Sequence, residues 1–91
     1  MHSQYEIIIS GRVQGVGFRA AARKQARFLR LKGWVENLAD GSVRILLCGD
    51  TENCTSFINW CREGSAYSWV EKVDLREMKP EALGPFTILY N

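Results

Sequence analysis

Residues 11–19 read Gly-Arg-Val-Gln-Gly-Val-Gly-Phe-Arg, and they separate a β-branched run ending at Ile9 from a basic, alanine-rich segment with helical spacing. Three glycines within residues 11–17 let main-chain N–H groups turn toward a common point, because no Cβ atoms crowd them. The N-terminus of the following helix adds unpaired donors and partial positive charge. A loop of this kind can hold an anion.

Arg19 falls in the first turn of the predicted helix, where a fixed positive charge slightly opposes the helix dipole. A planar guanidinium that closes over a phosphate held by the loop amides would explain this placement. The alternative is a tight strand-to-helix turn followed by a solvated arginine. Taken alone, the loop is compatible with both interpretations.

The composition predicts one domain over residues 1–91, with 46% hydrophobic residues to fill a single core. No apolar run approaches membrane-spanning length and no signal peptide is visible, so we expect a cytoplasmic protein without a membrane partner. Residues 1–49 carry eight Lys/Arg against three Asp/Glu, whereas residues 50–91 carry four against seven. The positive half contains the glycine loop, which suits an anionic ligand, although a solvated helix face explains the charge equally well.

The cysteines Cys48, Cys54 and Cys61 form no CxxC pair, and His2 is the single histidine. These residues do not have the spacing of zinc or iron–sulfur ligands, so we expect no metal and no cofactor. Cys54 and Cys61 lie seven residues apart on a predicted helix and cannot pair without breaking it. We expect all three to be buried thiols.

Periodicity and turn signals predict five extended segments and two helices. The first helix runs to about residue 31 and ends at Gly33, while Asp50 caps the second helix and Gly64 stops it. Asp40-Gly41 predicts a hairpin, and uneven alternation after residue 67 predicts a bulged strand. The predicted segments are strands 5–10, 34–39, 42–48, 67–78 and 86–90, and helices 18–31 and 51–63.

This order is βαββαβ with one additional strand. Right-handed crossovers then favour an α+β fold: a ferredoxin-like sandwich with an antiparallel sheet, two helices on one face and a short extra C-terminal strand. Strands one and two point the same way, so their C-terminal ends emerge at the same end of the sheet. Asn37, near the end of strand two, is therefore expected close to the glycine loop.

Two nucleotide-binding motifs have to be weighed against this fold. Gly15-Val-Gly17-Phe-Arg-Ala20 matches G-x-G-x-x-A, and Glu36 follows at about the distance of an acidic ribose ligand. A doubly wound sheet needs more strands and helices on both faces, which the predicted topology does not supply. The nucleoside-triphosphate P-loop fits less well, because no Gly-Lys-Ser/Thr follows the glycines.

Three motifs, at residues 11–19, 33–37 and 40–43, resemble the acylphosphatase family, and the likeness spans nearly the whole chain. The resemblance implies a hydrolase acting on acid anhydrides, which cleaves the carboxyl-phosphate bond of small acyl phosphates without a metal. It also implies that Arg19 is the catalytic arginine and that Asn37 positions water. The phosphate loop would comprise Gln14, Gly15, Val16, Gly17 and Phe18. Inorganic phosphate would be product and inhibitor of an enzyme that we expect to be monomeric.

Glu36 departs from the family pattern, and its charge would oppose an anion if its side chain faced the site. The main rival is a module binding single-stranded RNA, but the RNP signature is missing and the net charge is only +2, so we expect no nucleic-acid partner. A second rival is an acylphosphatase-like part of a larger maturation enzyme that hydrolyses carbamoyl phosphate. The length of the chain favours a free-standing enzyme.

Overall fold

A five-stranded sheet with two helices on one face makes up the computed structural model, which describes residues 1–65 and 67–90. Residues 66 and 91 belong to the predicted domain but lie outside the described residues. The elements are β1 (His2–Arg12), α1 (Phe18–Phe28), β2 (Lys32–Asn37), β3 (Val43–Asp50), α2 (Thr51–Glu63), β4 (Trp69–Met78) and β5 (Thr87–Leu89).

The strand order is β4-β1-β3-β2-β5, and β1 pairs antiparallel with both β3 and β4. β2 is antiparallel to β3, so β1 and β2 run in the same direction, as predicted. This arrangement confirms the predicted α+β, ferredoxin-like sandwich.

The extra strand corrects the prediction of an antiparallel sheet, because β5 pairs parallel with β2. β4 finishes at the end of the sheet where β1 and β2 begin, and the chain crosses that end to reach the free edge of β2. Gln4 fixes this crossing: its Oε1 accepts from the Glu81 N–H at 2.8 Å, and its Nε2 donates to Glu81 Oε1 at 3.2 Å. β5 therefore starts beside the start of β2 and runs with it.

The core lies between the sheet and the helices, and its residues follow the strand and helix periodicities. Alternate strand residues such as Ile7, Val35 and Ile45 are fully buried, and they meet Phe18 of α1 and Phe57 of α2. Complete burial of each such side chain stabilises the fold by about 1.5–3 kcal/mol. This packing fixes both helices on one face of the sheet and places the β1–α1 loop at the end where β2 finishes.

The end of α1 differs from the prediction. The helix stops at Phe28, and Arg30 adopts a left-handed φ of 58°. Its N–H donates to Arg27 O at 3.0 Å, while the Leu31 N–H donates to Ala26 O at 2.8 Å, a Schellman arrangement. The prediction that Gly33 ends the helix is wrong: Gly33 lies in β2, where a Cβ would collide with the main chain of β3.

The other local signals are confirmed. Asp50 Oδ1 accepts from the Glu52 N–H at 3.0 Å and caps α2, and Gly64 ends that helix with a φ of 82°. The predicted irregularity of β4 is a bulge at Glu71, where the register with β1 shifts.

Candidate active site

The glycine loop leaves the N-terminus of α1 open. Gly15 and Gly17 have φ angles of 74° and 78°, which residues with a Cβ rarely adopt, and both are exposed. The first hydrogen bond of the helix joins the Ala21 N–H to Gly17 O at 3.1 Å, so the N–H groups of residues 18–20 precede the helical ladder. No side chain caps this end, and its first turn contains no acid. The loop thus presents main-chain donors in a positive field.

A small cleft lies between this loop, the first turn of α1 and β5. Its volume is about 150 Å³, and Arg19 forms one wall while Tyr90 forms another. The Arg19 guanidinium carbon lies 5.1 Å from the centroid of the Tyr90 ring. The lining residues are Val13, Gly15, Gly17, Phe18, Arg19, Ala20, Ile88 and Tyr90. A tetrahedral anion in this space would contact the main-chain amides of the loop as well as the Arg19 guanidinium.

Asn37 is the last residue of β2 and lies on the same face of the sheet as Val35, toward the helices. It does not line the cleft itself. The register of β2 and β5 pairs Glu36 with Leu89, and its continuation puts residue 90 beside Asn37. Arg19 and Asn37 thus lie at the same end of the sheet, while their shared action on one ligand stays a prediction.

Gln14 belongs to the predicted phosphate loop, but its side chain binds another part of the protein. Its Nε2 donates to Leu38 O at 2.7 Å and to Ser42 O at 2.8 Å, both in the hairpin that follows Asn37. The Gln14 carboxamide therefore connects the loop to the β2–β3 hairpin, and Gln14 does not line the cleft.

Two other predicted loop residues direct their side chains into the core. Val16 packs against the core cluster. Phe18 is buried, with its ring centroid 5.5 Å from that of Trp60. Their side chains hold the loop on the domain, so any contact with an anion falls to their main-chain N–H groups.

The hairpin that Gln14 contacts is ordered by its own polar groups. Asp40 Oδ1 accepts hydrogen bonds from Ser42 Oγ at 2.5 Å and from the Ser42 N–H at 2.9 Å. These two donors hold the pKa of Asp40 below its ordinary value, and the Ser42 hydroxyl has the larger effect. Asp40 thus holds Ser42, one of the two residues whose carbonyl groups accept from the Gln14 amide.

Glu36 lies on the other face of the sheet from Asn37. Its carboxylate is 3.9 Å from Arg44, which also pairs with Glu6 at 2.8 Å. The sheet separates this charge from the cleft on the helix-facing side, so Glu36 does not face the proposed anion.

Among residues 1–65 and 67–90, no three His, Cys, Asp or Glu side chains come together as a candidate metal site. The three cysteines are buried and free, as predicted. Within the same residues, no helix is both long and apolar enough to span a membrane.

Tyr90 and Ile88 of the cleft were missed by the sequence analysis, which treated them as alternating residues of a final strand. Their role as cleft walls depends on the parallel pairing of β5 with β2. No local pattern in residues 86–90 signals that pairing.

Comparison with known proteins points to one family. The family model for acylphosphatase matches residues 5–88. The chain is 46% identical over 74 residues to an acylphosphatase from Roseiflexus sp. strain RS-1, covering 81% of this chain and 80% of that protein. It is 42% identical over 85 residues to an acylphosphatase from Chloroflexus aurantiacus, covering 92% of each.

Solved structures give the same result. The crystal structure of acylphosphatase from Bacillus subtilis superposes with a TM-score of 0.93 at 41% identity, covering 99% of this chain and 100% of that one. Full-length HypF, in a phosphate- and nucleotide-bound form, matches at a TM-score of 0.87 and 27% identity over 99% of this chain and 12% of its own. The fold, the loop and the matched residues together show that this chain belongs to the acylphosphatase family.

Proposed function

We propose that the protein hydrolyses the carboxyl-phosphate bond of small acyl phosphates, yielding a carboxylate and inorganic phosphate, the activity of its family. The observation that carries this proposal is the cleft in which Arg19 faces the uncapped end of α1. Main-chain N–H groups of residues 14–18 and the Arg19 guanidinium bind the phosphoryl oxygens. Asn37 orients the attacking water.

The leaving group explains why these few residues suffice. An acyl phosphate releases a carboxylate whose parent acid has a pKa of about 4, so it departs without a proton donor. Water attacks phosphorus, the bond from phosphorus to the acyl oxygen breaks, and the electron pair leaves on the carboxylate. No general acid is required near the cleft.

The attacking water likewise needs no strong general base. Phosphoryl transfer passes through a loose transition state in which bonding to the nucleophile is slight and charge lies on the peripheral oxygens. Positioning and charge stabilisation are then the main sources of catalysis. Main-chain donors, Arg19 and Asn37 supply both, so the proposed mechanism uses no metal and no cofactor.

Substitution of Arg19 tests the proposal most directly. Loss of one preorganised donor from a charged site costs about 3–4 kcal/mol, a hundred- to thousandfold in rate. We expect Arg19→Ala to abolish measurable turnover of benzoyl phosphate, whereas Arg23→Ala, one turn further along α1, retains most of it. Equal losses in the two variants would show that the arginine is misassigned.

Substitution of Asn37 separates water positioning from anion binding. We expect Asn37→Ala to lower kcat strongly while inhibition by inorganic phosphate changes little, because the amide acts on water. If phosphate affinity falls to the same extent as kcat, Asn37 has a binding or structural role instead.

The metal-free mechanism predicts that activity survives exhaustive treatment with chelator. Loss of activity that magnesium restores would contradict it. We further propose that the protein is a monomer and that it lies in the cytoplasm. The three free thiols support the location, because a reducing compartment maintains thiols of this kind. Sedimentation and cell fractionation test the two statements.

A role within a larger maturation enzyme has weaker support. HypF is 27% identical to this chain, whereas the Bacillus subtilis acylphosphatase is 41% identical and matches over its whole length. Initial rates on benzoyl, acetyl and carbamoyl phosphate distinguish the two: a strong preference for carbamoyl phosphate would favour a role within a larger maturation enzyme.

A further inference from the structure

β5 is attached to α1 at two points. At its start, Arg27 Nε donates to Phe86 O at 2.9 Å, and at its end the Arg19 guanidinium lies over the ring of Tyr90. Along its length, this short strand is also hydrogen-bonded to β2. Tyr90 directly follows Leu89, which pairs with Glu36 of β2, and its ring meets the first turn of α1.

The contact with Tyr90 suits an arginine that must bind an anion. A guanidinium has five N–H donors, and a carboxylate partner would occupy some of them and compete with phosphate. The face of an aromatic ring attracts the cation through its quadrupole. It offers no strong acceptor that would occupy the N–H donors of the guanidinium. Arg19 can thus be held in position with its donors still available to phosphoryl oxygens.

From this geometry we infer that Tyr90 is a positioning residue, which holds the Arg19 guanidinium at the wall of the cleft before the anion arrives. The inference rests on the proposed function of Arg19. An unheld arginine side chain samples many rotamers and must be ordered when the ligand binds. Tyr90 reduces that ordering and favours tighter phosphate binding and faster turnover.

Substitutions at Tyr90 test this directly, because its side chain is 76% exposed and its removal opens no hole in the core. A contact between a cation and an exposed ring contributes about 0.5–1 kcal/mol, so Tyr90→Leu is expected to lower kcat/KM and phosphate affinity about two- to fivefold. Tyr90→Phe keeps the ring and should match the wild type. Tyr67→Leu is the matched control, since Tyr67 is 82% exposed and does not line the cleft.

Fluorinated phenylalanines at position 90 provide a readout that a merely structural role would not move. Each added fluorine weakens the quadrupole while the shape changes little, so kcat/KM and phosphate affinity should fall progressively along the series. A flat series, a Tyr90→Phe variant as impaired as Tyr90→Leu, or tighter phosphate binding by Tyr90→Leu would each overturn the inference.

Phosphate affinity, measured by calorimetry, distinguishes this inference from the proposed function. A wild-type protein that binds phosphate but hydrolyses no acyl phosphate refutes the proposed function, and the phosphate arm of the series then decides the role of Tyr90. A wild-type enzyme that is active, with Tyr90→Leu unchanged in both measurements, refutes only the inference.

Discussion

Gln14 connects the two parts of the proposed site, and its replacement by methionine should show how much that connection contributes. Methionine keeps the length of the side chain but removes the two donors that reach Leu38 O and Ser42 O at 2.7 and 2.8 Å. Each such hydrogen bond contributes about 0.5–1.5 kcal/mol net, which sets a range of about 1–3 kcal/mol for the pair.

The remaining hydrogen bonds of the two carbonyl groups narrow the range expected for the loss of stability. Leu38 O also accepts from the Gly41 N–H at 3.2 Å, and Ser42 O accepts from the Leu38 N–H at 2.9 Å, so neither is left without a donor. We therefore expect Gln14→Met to lower the free energy of unfolding by about 1–2 kcal/mol. Turnover should fall by about tenfold or more, because the loop is no longer held in register with Asn37 and small misplacements cost rate steeply.

Gln14→Glu should be the more damaging change. Its carboxylate would face two carbonyl oxygens as an acceptor among acceptors, so the loop must move or leave a buried charge unpaired. Urea unfolding and initial rates of benzoyl phosphate hydrolysis measure the two effects, with Gln25→Met on α1 as the control. A Gln14→Met protein that keeps wild-type kcat, or a Gln14→Glu protein no worse than Gln14→Met, would refute this reasoning.

Four further predictions concern stability and reactivity. Arg30→Gly should stabilise the protein by about 0.5–1 kcal/mol in urea unfolding, because glycine adopts the φ of 58° without strain; an unchanged midpoint would contradict this. Gly33→Ala should cost more than about 3 kcal/mol or prevent folding, since the added Cβ meets main-chain atoms of β3; circular dichroism of a normally folded variant would disprove it. The pKa of Asp40 is lowered in the folded state, so the ionised Asp40 stabilises the fold at any pH above the ordinary carboxyl pKa. This stabilisation is lost as the pH falls through the lowered pKa. An NMR titration that finds an ordinary pKa for Asp40 would refute this. Burial raises the pKa of Cys54 to about 11 and also raises that of Cys61, so both thiols should alkylate slowly at pH 8 until urea unfolds the chain; rapid alkylation of the native protein would contradict this.

Local chemistry was sufficient to predict much of the fold. Asp50 and Gly64 bound α2 as predicted, because a carboxylate cap and a positive-φ glycine act on their own neighbours. The direction of β1 and β2 followed from a single helical crossover. These features depend on residues close in sequence, whose signals survive without knowledge of the rest of the chain.

The remaining features depend on distant partners. α1 ends at Phe28 and the chain turns at Arg30, well before Gly33, because Leu31 is buried in the core and the main chain must turn to place it there. The parallel direction of β5 depends on the crossing that Gln4 and Glu81 fix, two residues far apart in the sequence. Hydrophobic periodicity contains no information about either contact.

The candidate site shows the same division. The glycine spacing was sufficient to predict its main-chain part, a turn at positive-φ glycines before a helix, while anion binding by that turn stays a prediction. The side-chain part of the site could not be predicted in this way: the carboxamide of Gln14 reaches the hairpin, and the ring of Tyr90 reaches Arg19. Both are contacts across the tertiary structure, and each involves a residue whose local role looked ordinary.

The brevity of β5 has a consequence for how the protein fails on warming. Only residues 87–89 pair with β2, so detaching this edge strand exposes little apolar surface compared with opening β1 or β3. We expect its amide hydrogens to exchange with solvent well before those at the centre of the sheet. The cleft would then lose the walls formed by Ile88 and Tyr90 before the domain melts, so turnover should decline in a chain that still looks native by circular dichroism.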